Sequence, residues 1–168
     1  LGIPTIPVMV ELEGDERRTT RVMLRGNFLS PGDEVAPDVP EVLHPWPEGE
    51  PRNRLGLARW LVDPANPLTG RVTVNRLWSR LFGVGLVETE EDFGTQGQTP
   101  SHPELLAWLA LELVDGGWDL KALLRTIVTS ATYRQSSTVT EELAGRDRPN
   151  RLLARGPRYQ LPAETLRD

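Results

Sequence analysis

Apolar residues recur at helical spacing through the middle of the chain, and this period limits the possible folds more than any other feature of the sequence. In TGRVTVNRLWSRLFG they stand at positions i, i+3, i+4, i+7 and i+8, and further stretches repeat the pattern. Such spacing predicts amphipathic helices with one buried face. We therefore expect a mainly α fold, a small helical bundle with helices near 53–63, 69–83, 101–115 and 119–133.

The limits of these helices are indicated by residues typical of helix ends. Gly83 follows the second apolar stripe and favours a left-handed stop. Ser101 and Glu104 stand at the spacing of a capping box, with Pro103 in the first turn, and Asp119 is a typical N-cap. The first helix is expected to bury one face, which is formed by Leu55, Ala58, Leu61 and Val62.

The part before residue 53 has a different composition. PVMVEL and RVMLRG are short β-rich runs joined by a polar turn, so residues 1–30 are predicted to form a β-hairpin at the edge of the domain. Residues 31–52 are rich in proline. Proline at this density excludes a helix or a central β-strand in this segment, so we predict an extended arm. Within this arm, Trp46 either anchors the arm or stacks on a ligand. Residues 53–168 form the predicted helical domain.

The last part of the sequence is more polar. After Tyr133, the segment QSSTVTEELAGRDRPN is predicted to be a mobile loop. In the closing LPAETLRD, Pro162 and Glu164 are typical of the first turn of a helix that is not completed. We therefore expect the chain to be part of a longer protein, with its helical domain truncated at the C-terminus.

Charge and cysteine content exclude several classes of function. The net charge is -5, whereas a general nucleic-acid binder usually presents a basic face, so we expect no nucleic-acid partner. We also expect no membrane span, because no apolar run approaches the roughly 18 residues that one needs. Cysteine is absent, and His44 and His102 are the two histidines. This composition argues against zinc, thiolate catalysis and covalent haem attachment, and no cofactor is expected in this chain.

The polar face of the second predicted helix carries the first group of candidate site residues. Arg71 and Asn75 are four residues apart, and Arg76 lies beside them. Asparagine inside a helix costs some tenths of a kcal/mol against alanine, so its presence suggests a role. The functional interpretation is that the three residues bind an anion or sugar hydroxyls. The structural one, which we favour, is that Arg71 and Asn75 hold the loop of residues 88–97 onto the helix.

The loop after this helix is acidic and carries Glu88, Glu90, Glu91 and Asp92. Paired carboxylates can act as general acid and base on a carbohydrate, and the same four residues are candidates for binding calcium. His102, at the next helix start, is a candidate for holding an anion or sharing in catalysis. The structural alternative is that the acidic loop complements the arginine-rich segment before it. The catalytic candidates are Arg71, Asn75, Glu91, Asp92 and His102.

Long stretches of the sequence resemble a known family. They are NRLGLARWLVDPANPLTGRVTVNRLWSRLFGVGLVETEEDFGTQGQTPSHPELLAWLA, GWDLKALLRTIVTSATYRQSS and NRLLARGPRYQLPAETLRD. They closely resemble planctomycete-specific domain one, a domain of unknown function, and the similarity begins near Thr20. The motif residues in the helix are Arg71, Asn75, Arg76 and Trp78. The loop and the next helix start contribute Glu91, Asp92, Phe93, Gly94, His102 and Pro103.

The resemblance implies a cellular setting but no reaction. Domains of this kind stand near the C-terminus of large exported proteins that often carry a cytochrome-c-like domain. It therefore implies an extracytoplasmic location, periplasmic or secreted, and a haem elsewhere in the parent protein. A role in polysaccharide use or extracytoplasmic electron transfer is also implied. The family assigns no catalytic residue that can be transferred to this chain.

Three functions remain open at this point. The leading one is an accessory or interaction module that docks other domains of the parent or a partner protein. The alternatives are a carbohydrate-active enzyme domain that uses the acidic residues of the 88–92 loop, and a glycan-binding module with Trp46 or another exposed tryptophan as its platform. A pocket that gathers Arg71, Asn75, Asp92 and His102 would favour chemistry. Exposed indoles in a groove would favour glycan binding, and a broad apolar patch would favour docking.

Overall fold

The computed structural model describes residues 7–12 and 14–158. The chain divides into two compact units, residues 1–63 and residues 64–168, and each is described by itself. No helix within the described ranges is long and apolar enough to cross a membrane. The unfinished helix predicted from Pro162 and Glu164 lies outside the described residues.

The first unit contains the predicted antiparallel hairpin, but its strands are not both where the sequence placed them. Strand β1 is Thr20–Met23 and strand β2 is Pro31–Val35, with Arg21 opposite Glu34. The run PVMVEL was expected to be the first strand, yet the described residues 7–12 are irregular. The partner of β1 instead comes from the proline-rich stretch. A two-stranded sheet has only edge strands, and Pro31 at a strand start is compatible with such an edge.

Helix α1, Arg54–Val62, closes the first unit and buries a different face from the one expected. The Asn53 side chain accepts a hydrogen bond from the Gly56 N–H and caps the helix. Its buried residues are Gly56 and Trp60. The predicted buried face is exposed, since the four residues Leu55, Ala58, Leu61 and Val62 all face solvent. That prediction was wrong because the face that α1 buries is the one that carries Gly56 and Trp60, which are four residues apart.

Trp60 joins α1 to the proline-rich segment through a reciprocal pair with His44. The two rings stack with centroids 4.6 Å apart. The Trp60 indole N–H donates to the His44 carbonyl, and the His44 Nε2 lies 3.1 Å from the Trp60 carbonyl. Because a carbonyl only accepts, this contact selects the tautomer with the proton on Nε2. Both side chains are buried, so His44 has a structural partner inside the first unit.

The second unit is helical, as predicted. The predicted helices of this unit are confirmed, although the fourth is divided at Ser130. The Ser130 hydroxyl accepts a hydrogen bond from the Tyr133 N–H and caps a new, short helix. Asp119 caps the fourth helix as expected. The capping box predicted at Ser101 and Glu104 does not form, because the N-cap is His102 and Ser101 bonds elsewhere. The helices are α2 Thr69–Phe82, α3 Pro103–Asp115, α4 Leu120–Thr129, α5 Ala131–Arg134 and α6 Glu141–Arg146.

The core of the second unit lies between α2 and α3, and α4 packs on α3. Trp78 and Phe82 stack with centroids 4.0 Å apart, and Tyr133 meets Phe82 edge-on. Gly70 of α2 lies against Ala110 of α3, and these small residues allow the two helices to approach closely. The buried apolar side chains are Val74, Trp78, Phe82, Leu86, Val87, Leu106, Leu109, Ala110, Leu113, Leu123 and Ile127.

The segment after Tyr133 is structured, so the prediction of a mobile loop there was wrong. Helix α6 lies inside it and is capped by Thr140, whose hydroxyl accepts from the Leu143 N–H. Glu142 pairs with Arg146 one turn later. A threonine cap followed by glutamates is a helix-start signal. The prediction of a loop relied on the polar composition of the whole segment and did not take this local signal into account.

Replacing Gly83 with alanine is expected to destabilise the second unit. Gly83 ends α2 with φ +83°, a left-handed conformation that costs an L-residue about 1–2 kcal/mol. Urea unfolding of Gly83→Ala measures the loss. Gly145→Ala is the matched control, because Gly145 lies within α6 in open space and alanine favours helix there. Equal unfolding free energies for the two variants would contradict the assigned role of Gly83.

Candidate functional site

Asn75 holds the chain that leaves α2. Its side-chain amide donates to the Val87 carbonyl at 2.9 Å, and its carbonyl oxygen accepts from the Val87 N–H at 2.8 Å. Asn75 is 0% exposed. An amide offers a donor and an acceptor side by side, so it pairs with one backbone residue much as a strand would. Asn75 therefore has a structural role, as expected, but it holds Val87, the residue before the loop, and not residues 88–97.

Three further contacts fix the segment from Gly85 to Glu88. Gly85 lies flat on the Asn75 amide, and a Cβ at residue 85 would stand 2.7 Å from the amide nitrogen. The Leu86 carbonyl accepts from the Ser101 N–H at 2.8 Å. Arg151 forms an ion pair of 2.9 Å with Glu88. The turn after α2 is therefore held by α2, by the residue before the α3 cap and by the C-terminal part of the unit.

The acidic loop is held mainly by its own residues. The Thr89 hydroxyl donates to the Asp92 carbonyl and accepts from the Gln98 N–H, both at 2.9 Å. The Asp92 carboxylate accepts from the Gly94 N–H at 2.7 Å. Glu88, at the start of the loop, forms its ion pair with Arg151. Residues 89–98 therefore form a compact turn that is held together by bonds among its own residues.

Arg71 is the residue whose predicted role the structure corrects. Its guanidinium donates to the Pro67 carbonyl at 2.5 Å, one helical turn back along the chain. The side chain is exposed and bonds no atom of the loop. The loop is instead held by Thr89 and Arg151, neither of which was predicted from the sequence to do so. The expectation that Arg71 holds the loop was therefore wrong.

Four of the five catalytic candidates have separate partners. Asn75 is engaged with Val87, Arg71 with Pro67 and Asp92 with Gly94. His102 lies at the N-terminus of α3 with its Nδ1 3.0 Å from the Ser101 hydroxyl, and Glu91 is exposed. Throughout residues 7–12 and 14–158, no group of three or more His, Cys, Asp and Glu could hold a metal ion. The calcium candidates Glu88, Glu90, Glu91 and Asp92 are thus not gathered into a site.

A groove runs beside Arg71, between the start of α2, the loop and the start of α3. It consists of two adjoining cavities of about 410 Å3 and about 220 Å3, which share Arg71 and Ala107 in their linings. The other lining residues are mainly apolar, and Phe93 of the acidic loop closes one side. Arg71 is the one charged residue lining the larger cavity. Asp115 is the acidic residue lining the smaller one. We call these two cavities together the Arg71 groove.

Trp46 lines a separate cavity of about 220 Å3 in the first unit. Its indole N–H donates to the Glu50 carbonyl, and its ring lies over Gly56 with Arg52 5.5 Å from the ring centroid. A Cβ at residue 56 would collide with this ring. Trp46 therefore anchors the proline-rich arm, which is the structural interpretation of this residue.

Two carboxylates beside this cavity are held ionised by arginines. The hydrogen bond from the Arg54 side chain lowers the pKa of Glu11, and the one from Arg52 lowers the pKa of Asp38. A carboxyl with a lowered pKa contributes stability above its ordinary pKa and loses it as pH falls through the lowered value. These pairs are therefore expected to weaken in acid. Both lie at the surface, where solvent screens them.

A cluster of polar residues at positions 147–155 was not predicted from the sequence. The Asp147 carboxylate accepts from the Arg151 and Leu152 N–H groups. Asn150 exchanges hydrogen bonds with the backbone of Arg155, which is itself buried. The run RDRPN does contain Asp, Pro and Asn, which are typical of tight turns. That local signal could have predicted the turn, although not the burial of an arginine.

One comparison with known proteins identifies a family. The sequence model of PSD1, a protein of unknown function (DUF1553), matches residues 53–168. The chain belongs to this family. The match to PSD1 begins at Asn53, at the cap of α1, and includes all of the second unit. No curated protein and no solved structure matches the chain.

Asn75→Ala in this PSD1 chain is expected to lower the free energy of unfolding by roughly 3 kcal/mol. The change leaves two buried backbone groups of Val87 without partners, and each costs about 1–3 kcal/mol, partly offset by the helix propensity of alanine. Arg71→Ala and Arg76→Ala are matched surface controls on the same helix, each expected within about 0.5 kcal/mol of wild type. Urea unfolding measures all three. A near-neutral Asn75→Ala would overturn the assignment.

Proposed function

We propose that this chain is a non-catalytic interaction module, and that the Arg71 groove receives an extended peptide segment of another domain of the parent protein. The observation that carries the proposal is the groove itself, which is mainly apolar and has one exposed arginine in its middle. The separate engagement of Arg71, Asn75, Asp92 and His102 does not favour an enzyme at this place.

The charges along the groove define the chemistry of the expected segment. Within the described residues, Arg71 has no acidic partner, so a carboxylate of the segment can pair with it through two parallel hydrogen bonds. At the far end, α3 finishes with Glu112 and Asp115 and no basic residue in its last turn. Acidic groups are unfavourable at a helix C-terminus, and a basic side chain of a partner would pair with them and offset this unfavourable interaction. The segment should therefore be apolar, with one acidic and one basic residue.

The outer surface of α3 extends the same contact area. Trp108 and Leu111 stand one turn apart and are 48% and 59% exposed. Leu111 also lines the smaller cavity of the groove. Exposed aromatic and aliphatic side chains beside a groove are typical anchors of protein–protein interfaces. The groove lining has few polar groups for the hydroxyls of a sugar, and this lining supports a protein partner.

The cellular setting that we propose follows from the family resemblance. The parent is an exported protein, periplasmic or secreted, which carries a cytochrome-c-like domain and takes part in polysaccharide use or extracytoplasmic electron transfer. In such a protein the haem belongs to another domain, and this chain contributes binding only. The occupant of the groove is then a segment of that same polypeptide.

The proposal is tested by selecting a random peptide display library on the full chain. Enriched peptides are expected to share apolar residues with an acidic residue at a fixed position. Their affinity should fall about tenfold for Arg71→Gln, the usual scale of a lost charge-assisted pair. Arg76→Gln is the matched control, since Arg76 is an exposed arginine on the same helix that does not line the groove.

Four outcomes would contradict this function. Enriched peptides could lack an acidic residue, or bind Arg71→Gln as tightly as wild type. A glycan array could show saturable binding that is lost on Trp46→Ala, which would favour the glycan-binding alternative. Hydrolysis of an oligosaccharide that is lost on Asp92→Asn and kept by Thr95→Ala would favour the carbohydrate-active enzyme.

A further inference from the structure

The C-terminal part of the second unit contains a buried arginine without a counter-charge. Arg155 is 8% exposed, and its guanidinium donates to the backbone carbonyls of Asp147 and Arg148 at 3.0 and 2.7 Å. It forms no ion pair with any described residue. The nearby Asp147 carboxylate is turned toward the N–H groups of Arg151 and Leu152. A buried cation that bonds only neutral carbonyls is incompletely compensated, so an anion beside it is favourable.

Arg155 faces a cavity with an unusual set of charges. The cavity has a volume of about 260 Å3 and is lined by Arg148, Arg155 and Arg158 together with Asn150. No acidic residue is among its lining residues. The chain as a whole has a net charge of -5, so three arginines around one concavity are not a general property of its surface. Low-dielectric walls concentrate such a field inside the cavity.

The cavity is already formed and rigidly supported. The Asn150 side chain donates to the Arg155 carbonyl at 2.9 Å and accepts from its N–H. The Gly156 N–H donates to the Ser136 carbonyl at 2.9 Å, and a Cβ at residue 156 would stand 2.6 Å from the Gln135 carbonyl. Phe82 of the core forms part of the wall. The backbone of the cavity and the Arg155 guanidinium therefore need little reorganisation to receive a ligand.

We propose that this cavity, the arginine pocket, binds a tetrahedral dianionic oxyanion, that is, a sulfate or phosphate group. Guanidinium forks match such oxygens with paired hydrogen bonds, and three positive charges favour a dianion over a carboxylate. The volume lies below the range usual for drug-sized ligands, so the occupant is a free ion or the charged end of a larger molecule. The apolar wall at Phe82 is where the body of such a molecule lies.

Isothermal titration of the full chain tests the pocket, with ionic strength held constant by sodium chloride. Inorganic sulfate and phosphate are expected to bind with a dissociation constant below about 1 mM, and acetate about tenfold more weakly, which a lost charge-assisted contact would produce. Phenyl phosphate distinguishes the two sources of the anion. It should bind tighter than inorganic phosphate if the wall at Phe82 receives an attached group, and equally if the ligand is a free ion.

The double variant Arg148→Gln/Arg158→Gln is expected to weaken sulfate binding about tenfold or more, since each lost arginine removes a charge-assisted contact. Both residues are exposed, so the fold should persist, and urea unfolding checks this. Arg76→Gln/Arg125→Gln is the matched control, because it removes the same charge from exposed arginines outside the pocket. The proposal is overturned if the two double variants bind sulfate equally, or if no saturable binding occurs below about 10 mM.

Discussion

The two hydrogen bonds between the Asn75 amide and the backbone of Val87 determine where the chain goes after α2. Because they place Leu86 and Val87 in the core, they also set the position of the acidic loop and the start of α3. Gly85 is part of the same arrangement, since only a residue without a Cβ lies flat on the amide. Both walls of the Arg71 groove therefore depend on one buried side chain.

Much of the second unit could be predicted from the sequence, because its helices are amphipathic and carry local stop and start signals. Gly83 and Asp119 act as expected, and the stripe from Val74 to Phe82 is buried or partly buried as predicted. Asn75 could also be identified, since a polar residue inside a helix needs a reason. These are local properties, and they are visible in short stretches of sequence.

The rest depended on partners distant in the chain. Nothing in the sequence near Arg151 indicates that it meets Glu88, more than sixty residues earlier. The pairing of β1 with a proline-rich segment, and the choice of Trp60 over four aliphatic residues on α1, are similar cases. Arg71 was misplaced because its spacing from Asn75 suggested a shared role, whereas its guanidinium turns back to Pro67. Helical spacing predicts which residues share a face, but not which of them is buried.

The self-contained loop of residues 89–98 has a consequence for how this family can vary. Its internal bonds run through Thr89, Asp92, Gly94 and Gln98, while Glu91 and Gln96 point outward. Substitutions at such outward positions change the exposed side chains of the loop without disturbing the hydrogen bonds that hold it together. The chemistry of this surface can therefore vary in many small steps, each with little effect on the free energy of unfolding.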